Sequence, residues 1–424
     1  MNMLIKEKLD VKTTILLSFG FFGSSLVWSV YNAYVPLLLA GFIDSSMVIG
    51  LVMSVDNFFG VVFQPLFGKL SDKTRTRFGR RLPYLFICMP ICAVLFIFIP
   101  HMTSLWTFMG VVIIFTFVMS IWRTPAVSLM PDLTPGPFRS QANGIVNLMG
   151  GIAAILAFAG GGLLFELGGF QLPFLVSALM LIGAMAVLAL FIREPKIPVP
   201  VDTAEKAVPL KLEKSEKKSL IFLLSAIFFW FFGYNAVETF FSLYATSTMD
   251  VSPGQASMML SLFALALVAF AIPSGMIGAK IGRRKTILIG LTGTALMFLP
   301  LVFVTNANLV RVLLICSGMS WACVNINSLP MIVRIAGPMR IGTFIGYYYL
   351  FSFSSQLVTT PIYGAIHDIV DTYSSLFIYA AISFGVAFIC MSFVRHGEEG
   401  NEEGSENNEN GNGTNAEAVE AVET

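Results

Sequence analysis

Long apolar runs, separated by short polar intervals, follow one another along the chain: 13–41, 46–70, 82–101, 104–130, 142–167 and 172–193, then 219–247, 254–280, 286–305, 307–333, 341–366 and 372–394. A helix rises about 1.5 Å per residue and needs roughly 20 apolar residues to cross a bilayer. The pattern therefore predicts twelve transmembrane helices in an all-α integral membrane protein, six on either side of a polar stretch. Gly and Pro inside the runs agree with this, because membrane helices tolerate both. The first run lacks the small-residue cleavage site of a signal peptide and reads as a retained span.

Composition then narrows the class. Hydrophobic residues make up 56% of the 424 and charged residues only 12%, more apolar surface than a water-soluble chain can bury, so the solvent is lipid. The net charge of +1 hides an asymmetry. Bases cluster at the N-terminus (Lys6, Lys8, Lys12), in Lys69–Arg81, at Arg139, in the stretch Arg193–Lys218, in Lys280–Lys285, and at Arg334, Arg340 and Arg395. The opposite loops carry Asp44, Asp250, Asp368 and Asp371, with Arg311 the one base near that side. By the positive-inside rule both termini are expected in the cytoplasm, in a multi-pass protein of the cell membrane. The expected organisation is an N-terminal six-helix bundle (1–193), a linker (194–218), a C-terminal six-helix bundle (219–395) and a disordered acidic tail (396–424) rich in Glu, Asn and Gly. The sequon Asn412-Gly413-Thr414 would lie on that cytoplasmic tail and reads as chance.

No enzyme chemistry is visible. The five cysteines (Cys88, Cys92, Cys316, Cys323, Cys390) all fall inside apolar runs, where they read as packing residues. His101, His367 and His396 have no metal-ligand spacing. No catalytic residue, metal site, nucleic-acid partner or cofactor is expected, apart from a coupling proton or sodium ion.

The two halves repeat each other. Tyr31-Asn32-Ala33 in the first helix matches Tyr234-Asn235-Ala236 in the seventh, and Trp122 precedes Pro131 as Trp321 precedes Pro330, by nine residues each. The second and eighth helices end alike, Pro65…Gly68-Lys69 before Arg80-Arg81 and Pro273…Gly278…Lys280 before Arg283-Arg284. Parallel repeats of this kind place a solute site between the halves near mid-membrane. Internal duplication also points to a monomer as the working unit, unlike an oligomeric pore.

The segment Gly68-Lys-Leu-Ser-Asp72-Lys-Thr-Arg75-Thr-Arg77-Phe-Gly79-Arg80-Arg81 resembles the signature cytoplasmic loop of the major facilitator superfamily. Gly68 would let two helices approach closely, Asp72 would accept from an arginine or a helix N-terminus, and Arg77, Arg80 and Arg81 would complete a cytoplasmic gate. A second stretch, Arg123-Thr-Pro-Ala-Val-Ser-Leu-Met-Pro-Asp132 running on to Arg139-Ser-Gln-Ala-Asn143, resembles the sucrose-transporter branch and the related glycoside–pentoside–hexuronide cation symporters. The resemblance implies two pseudo-symmetric six-helix bundles and proton- or sodium-coupled uptake of a sugar or glycoside, with export of a drug or another organic solute as the alternative. Val127 stands where plant members carry an arginine, and Val111–Ser120 contains no acid.

Ionisable side chains inside a membrane are costly and usually face a cavity or a partner. Asp56 on the second helix and Glu238 on the seventh are the candidate ion-coupling residues, and Arg123 on the fourth is a candidate for solute binding. Sugars need planar hydrogen-bonding groups and aromatic faces. Trp28, Tyr31 and Asn32 share one face of the first helix, Trp230, Tyr234 and Glu238 one face of the seventh, and Trp321 and Asn325 align on the tenth. With Asn235, these supply the expected substrate-binding set: Trp28, Tyr31, Asn32, Arg123, Tyr234, Asn235, Trp321 and Asn325. Depth along the membrane normal separates Asp56 from Arg123 and argues against a direct salt bridge.

Overall fold

The computed structural model describes residues 8–194, 214–336 and 341–395, with the backbone alone at 137, 140, 214, 336 and 341–343. Most of the linker, Arg340, His396, the acidic tail and the sequon lie outside the described residues.

An apolar run in lipid has no water to satisfy its N–H and C=O groups, and the helix satisfies them internally. The helices are α1 (Val11–Ala40), α2 (Ser46–Lys73), α3 (Leu82–His101), α4 (Leu105–Leu133), α5 (Gln141–Gly168), α6 (Gln171–Phe191), α7 (Lys214–Thr248), α8 (Pro253–Ile281), α9 (Arg283–Val302), α10 (Ala307–Ala336), α11 (Ile341–Val370) and α12 (Ser375–Ser392). Among the described residues eleven are long and apolar enough to span a membrane, and α11 occupies the remaining predicted position. This is an all-α, multi-pass membrane fold. Local chemistry sets several starts: Ser45 and Ser252 accept the N–H groups of Val48 and Gln255 as N-caps of α2 and α8, and Pro253 supplies a first helical residue that has no N–H to lose.

Alternating helix directions define two faces. The basic face carries the Lys69–Arg81 loop and the Lys280–Lys285 turn; the acidic face carries Asp44, Asp250, Asp368 and Asp371. The repeated tryptophans Trp122 and Trp321 are both fully buried, each at the same step of its half. The cysteines are free, with Cys88, Cys92 and Cys323 buried.

Helix α5 is less regular than its glycine content suggests. Leu156–Gly160 forms a π-helical turn, which leaves a backbone carbonyl without its usual intrahelical partner, and Ser257 of α8 donates to the Phe158 carbonyl at 2.9 Å. One defect in the first six helices is thereby satisfied by the last six.

Small residues set how closely the halves approach near the acidic face. A Cβ at Gly50 of α2 would collide with the Thr360 carbonyl of α11, and a Cβ at Gly254 of α8 would lie 2.7 Å from the Gly162 carbonyl of α5. The α2–α11 and α5–α8 contacts thus need bare backbone on both sides of the pseudo-symmetry.

Candidate functional site

The membrane-embedded ionisable groups converge. Asp56 of α2 lies within electrostatic range of Arg123 of α4 and of Glu238 of α7. Asn32 of α1 is within hydrogen-bonding reach of the Glu238 carboxylate. Asp56, Arg123 and Glu238 are each partly buried among the helices, and Glu238 lines an interior cavity. The Asn57 amide donates to Asp56 Oδ1 at 2.6 Å.

Arg123 makes no ion pair with Asp56, in agreement with the depth argument. Its guanidinium carbon sits 5.9 Å from the Trp28 ring centroid on one side and 5.7 Å from that of Phe353 of α11 on the other. Its charge is met by two aromatic faces, one from each half, rather than by a carboxylate, and the fork of five N–H donors stays uncommitted among the described residues. Tyr349 of α11 is a further close neighbour. Phe353 and Tyr349 were not foreseen; aromatic positions on the eleventh helix carry no motif that separates them from lipid-facing ones.

Two more donors are buried and unpaired among the described residues, the Tyr31 hydroxyl and Trp28 Nε1. Their rings lie edge to face at 5.2 Å, and Tyr31 stacks on Phe115 at 5.8 Å. A buried donor without an acceptor is unfavourable, and two of them near Arg123 and Asp56 suit a polar ligand. On the opposite wall Tyr234 lies flat on Trp321, centroids 4.6 Å apart and planes 2° apart. Trp321 is the buried layer that holds Tyr234, while Trp230 is fully buried and does not line the cavity. Asn235 is also buried, and Asn325 is partly accessible on α10.

The basic loop closes on its own half. Arg80 donates to Asp132 through Nε (3.1 Å) and Nη2 (2.6 Å), and Arg81 donates to Asp132 at 2.9 Å and to Asp72 at 2.5 Å. Glu194, just after α6, accepts the N–H groups of Arg80, Arg81 and Leu82 at 2.7, 2.8 and 2.6 Å, placing an anion at the start of α3. Arg77 lies over Phe78 at 4.6 Å. A Cβ at Gly68 would lie 3.1 Å from the Thr124 methyl, so Gly68 does bring α2 against α4. Asp132 and Glu194 were missed as members of this network, since their sequence positions give no hint of the partner.

The halves are instead fastened at the acidic face by two pseudo-symmetric clasps. Asp368 at the end of α11 accepts from Ser45 Oγ (2.6 Å) and from the N–H groups of Ser46 (2.7 Å) and Met47 (3.1 Å), capping α2 from across the interface. The Ser46 and Tyr373 hydroxyls bond at 2.9 Å. Correspondingly, Glu166 at the end of α5 accepts from Ser252 Oγ at the start of α8. Partial burial alone would raise the Asp368 pKa; the hydrogen bonds from Ser45, Met47 and Ser46 outweigh it and hold the carboxyl below its ordinary range. Among the described residues, no hydrogen bond or ion pair joins the two halves at the basic face.

Buried polar groups brought together between two helical halves that are fastened at one face form the arrangement of a membrane transporter. A profile of the Major Facilitator Superfamily matches residues 17–252 and 244–420, and the chain belongs to that family. The isoprimeverose transporter of Lactiplantibacillus pentosus is 25% identical over 297 residues, covering 64% of this chain and 60% of that protein, so the chain matches well under two thirds of that relative's length. The class H tetracycline resistance protein of Pasteurella multocida is 23% identical over 296 residues, 66% of this chain and 70% of that one. In fold the chain is similar to an inward-facing, unoccupied crystal structure of a bacterial homologue of the human lysosomal transporter Spinster (TM-score 0.67, 14% identity, 91% and 95% covered). It is also similar to the nucleoside transporter NupG (TM-score 0.69, 15% identity, 90% and 100% covered).

Proposed function

We propose that the protein is a cation-coupled symporter of a sugar or glycoside, driven by protons or sodium, that works as a monomer in the cell membrane with its basic face in the cytoplasm. The observation that carries this reading is the convergence of Asp56 and Glu238, one acid from each half and neither in an ion pair among the described residues, with the uncommitted Arg123 and the unpaired donors of Tyr31 and Trp28. A carboxylate held in that position binds a cation with little competition. Hydroxyl groups of a solute would answer the free donors, and the aromatic faces of Trp28, Tyr234 and Phe353 suit the C–H faces of a sugar.

Alternating access follows from the fastening. The clasps hold the acidic face closed, and in this reading the opposite state is reached when they part and the basic face closes instead. Occupation of Asp56, Glu238 and the solute site shifts the balance between this state and its opposite by their differential affinity for the two. The isoprimeverose transporter supports the sugar class; the tetracycline resistance protein supports the second reading, export of an organic solute.

Solute counterflow in proteoliposomes separates the two without any ion gradient. Vesicles preloaded with unlabelled sucrose, maltose, a xylosyl-glucose disaccharide, a nucleoside or tetracycline are diluted into trace labelled solute. Overshoot with a disaccharide supports the sugar reading; overshoot with tetracycline alone overturns it in favour of the second.

A further inference from the structure

A cavity of about 130 Å³ opens on the Glu238 and Tyr234 side of the site, between α5 of the first half and α7 and α8 of the second. Its walls are mostly aliphatic and aromatic, with Leu260, Phe263 and Leu267 of α8, Leu314 of α10 and Ala154 of α5 among them. Its polar end is formed by Tyr234 and Glu238, with Ser29 nearby. Glu238 is the only charged residue among the described residues of the lining; Asn32 is within hydrogen-bonding reach of its carboxylate, and Asp56 and Tyr234 lie within electrostatic range.

Three properties select the occupant. The volume admits one six-membered ring with a short arm; a dry cavity of roughly 150 Å³ takes up benzene, so this one has no room for two rings. The apolar walls favour a hydrocarbon body over a second sugar, whose hydroxyls would find no partners there. The single charge among the described lining residues is a carboxylate within electrostatic range of Tyr234, whose ring is held by the stack on Trp321, and a lone carboxylate in apolar walls attracts a cation and repels an anion.

We propose that this cavity is a binding site for small amphipathic organic cations, an aryl or alkyl ammonium of benzylamine to phenethylamine size, with the ammonium on Glu238 and the ring among Leu260, Phe263 and Leu267. The site joins both halves, so an occupant stabilises the state in which the acidic face is closed. Because it uses the Glu238 carboxylate, it also competes with the coupling cation, a consequence that rests on the symport reading.

The test is direct binding to the full chain in lipid nanodiscs, by tryptophan fluorescence and calorimetry, with phenethylammonium, its neutral isostere 2-phenylethanol and its anionic counterpart phenylacetate. The cation is expected to bind at least about tenfold more tightly than the alcohol, as a charge-assisted contact gives, and phenylacetate not at all. Glu238→Gln should remove the preference for the cation. Ala264→Phe, which fills from a lining position on α8 a cavity that Arg123 does not line, should abolish binding of both the cation and the alcohol while counterflow of the transported solute persists. Leu260→Ala, a cavity-enlarging change, should instead admit a naphthyl ammonium. Equal affinity for cation and alcohol, or binding undiminished in both Glu238→Gln and Ala264→Phe, would overturn the proposal and leave the sugar reading intact. Failure of counterflow with every sugar, with cation binding retained, would do the reverse.

Discussion

Replacing Asp368 by Asn tests whether the acidic face is held shut by a charge placed across the interface. The native carboxylate receives three hydrogen bonds, from Ser45 Oγ and the N–H groups of Ser46 and Met47. Asn keeps one acceptor oxygen and can cap the helix, but loses the negative charge at the N-terminus of α2. A charge-assisted hydrogen bond contributes about 1.5–3 kcal/mol and a helix-end charge about 0.3–1 kcal/mol. Since the side chain is 29% exposed and part of the capping survives, we take about 1–2 kcal/mol as the loss. That is a shift of roughly 5- to 30-fold in the closed-to-open ratio of the acidic face. Spin labels at Trp106 and Phe303, both highly exposed near the acidic ends of α4 and α9, read the separation of the halves. The long-distance population should rise in Asp368→Asn and rise again with Glu166→Gln. A distribution unchanged in both variants would refute the idea that these carboxylates hold the face closed.

The same carboxyl fixes a pH dependence. Its pKa is lowered in the closed state, so closure binds fewer protons, is fully supported above the ordinary carboxylate range near 4, and weakens only as pH falls through the lowered value. The labelled pair should therefore show no change between pH 8 and pH 6 from this group, and opening only at strongly acid pH. Glu238→Gln should abolish gradient-driven accumulation yet leave counterflow within a few-fold, measured on the same vesicles. Asp132→Ala strips Arg80 and Arg81 of a buried partner, which typically costs about 3–5 kcal/mol, and should lower the thermal unfolding midpoint far more than Asp72→Ala, whose side chain is 54% exposed. Gly50→Val forces a side chain into the Thr360 carbonyl and should leave the acidic face unable to close, seen as a longer distance between the labels at Trp106 and Phe303 in a folded protein that does not transport.

The spans were legible because lipid imposes one rule on every residue in them: the predicted run 46–70 is Ser46–Lys73 and the predicted run 254–280 is Pro253–Ile281. The repeat was legible for a related reason, since Trp122 and Trp321 do the same packing in each half. Periodicity also assigned Tyr31, Asn32, Tyr234 and Glu238 to their helix faces. It did not reveal how each face is turned within the bundle. Trp230 and Trp321 follow the same spacing as their neighbours, yet one is buried outside the cavity lining and the other lies beneath Tyr234. The clasps were invisible because Asp368 and Ser46 are 322 positions apart and meet only through the packing of α2 on α11. In sequence Asp368 is simply a loop charge, and Glu166 lies unmarked at the end of the predicted run 142–167. The basic loop was recognisable by its Gly, Asp and Arg spacing, but its partners Asp132 and Glu194 are set by where α4 and α6 end.

If Asp56 and Glu238 couple transport, a cation gradient drives solute past them. Uptake of a counterflow-positive solute into proteoliposomes, with an inward proton or sodium gradient imposed and then collapsed by an ionophore, tests it most directly. Accumulation above the external concentration that vanishes with the ionophore and in Glu238→Gln is the predicted result; equilibration to the external concentration, unchanged by gradient, ionophore or substitution, would contradict it.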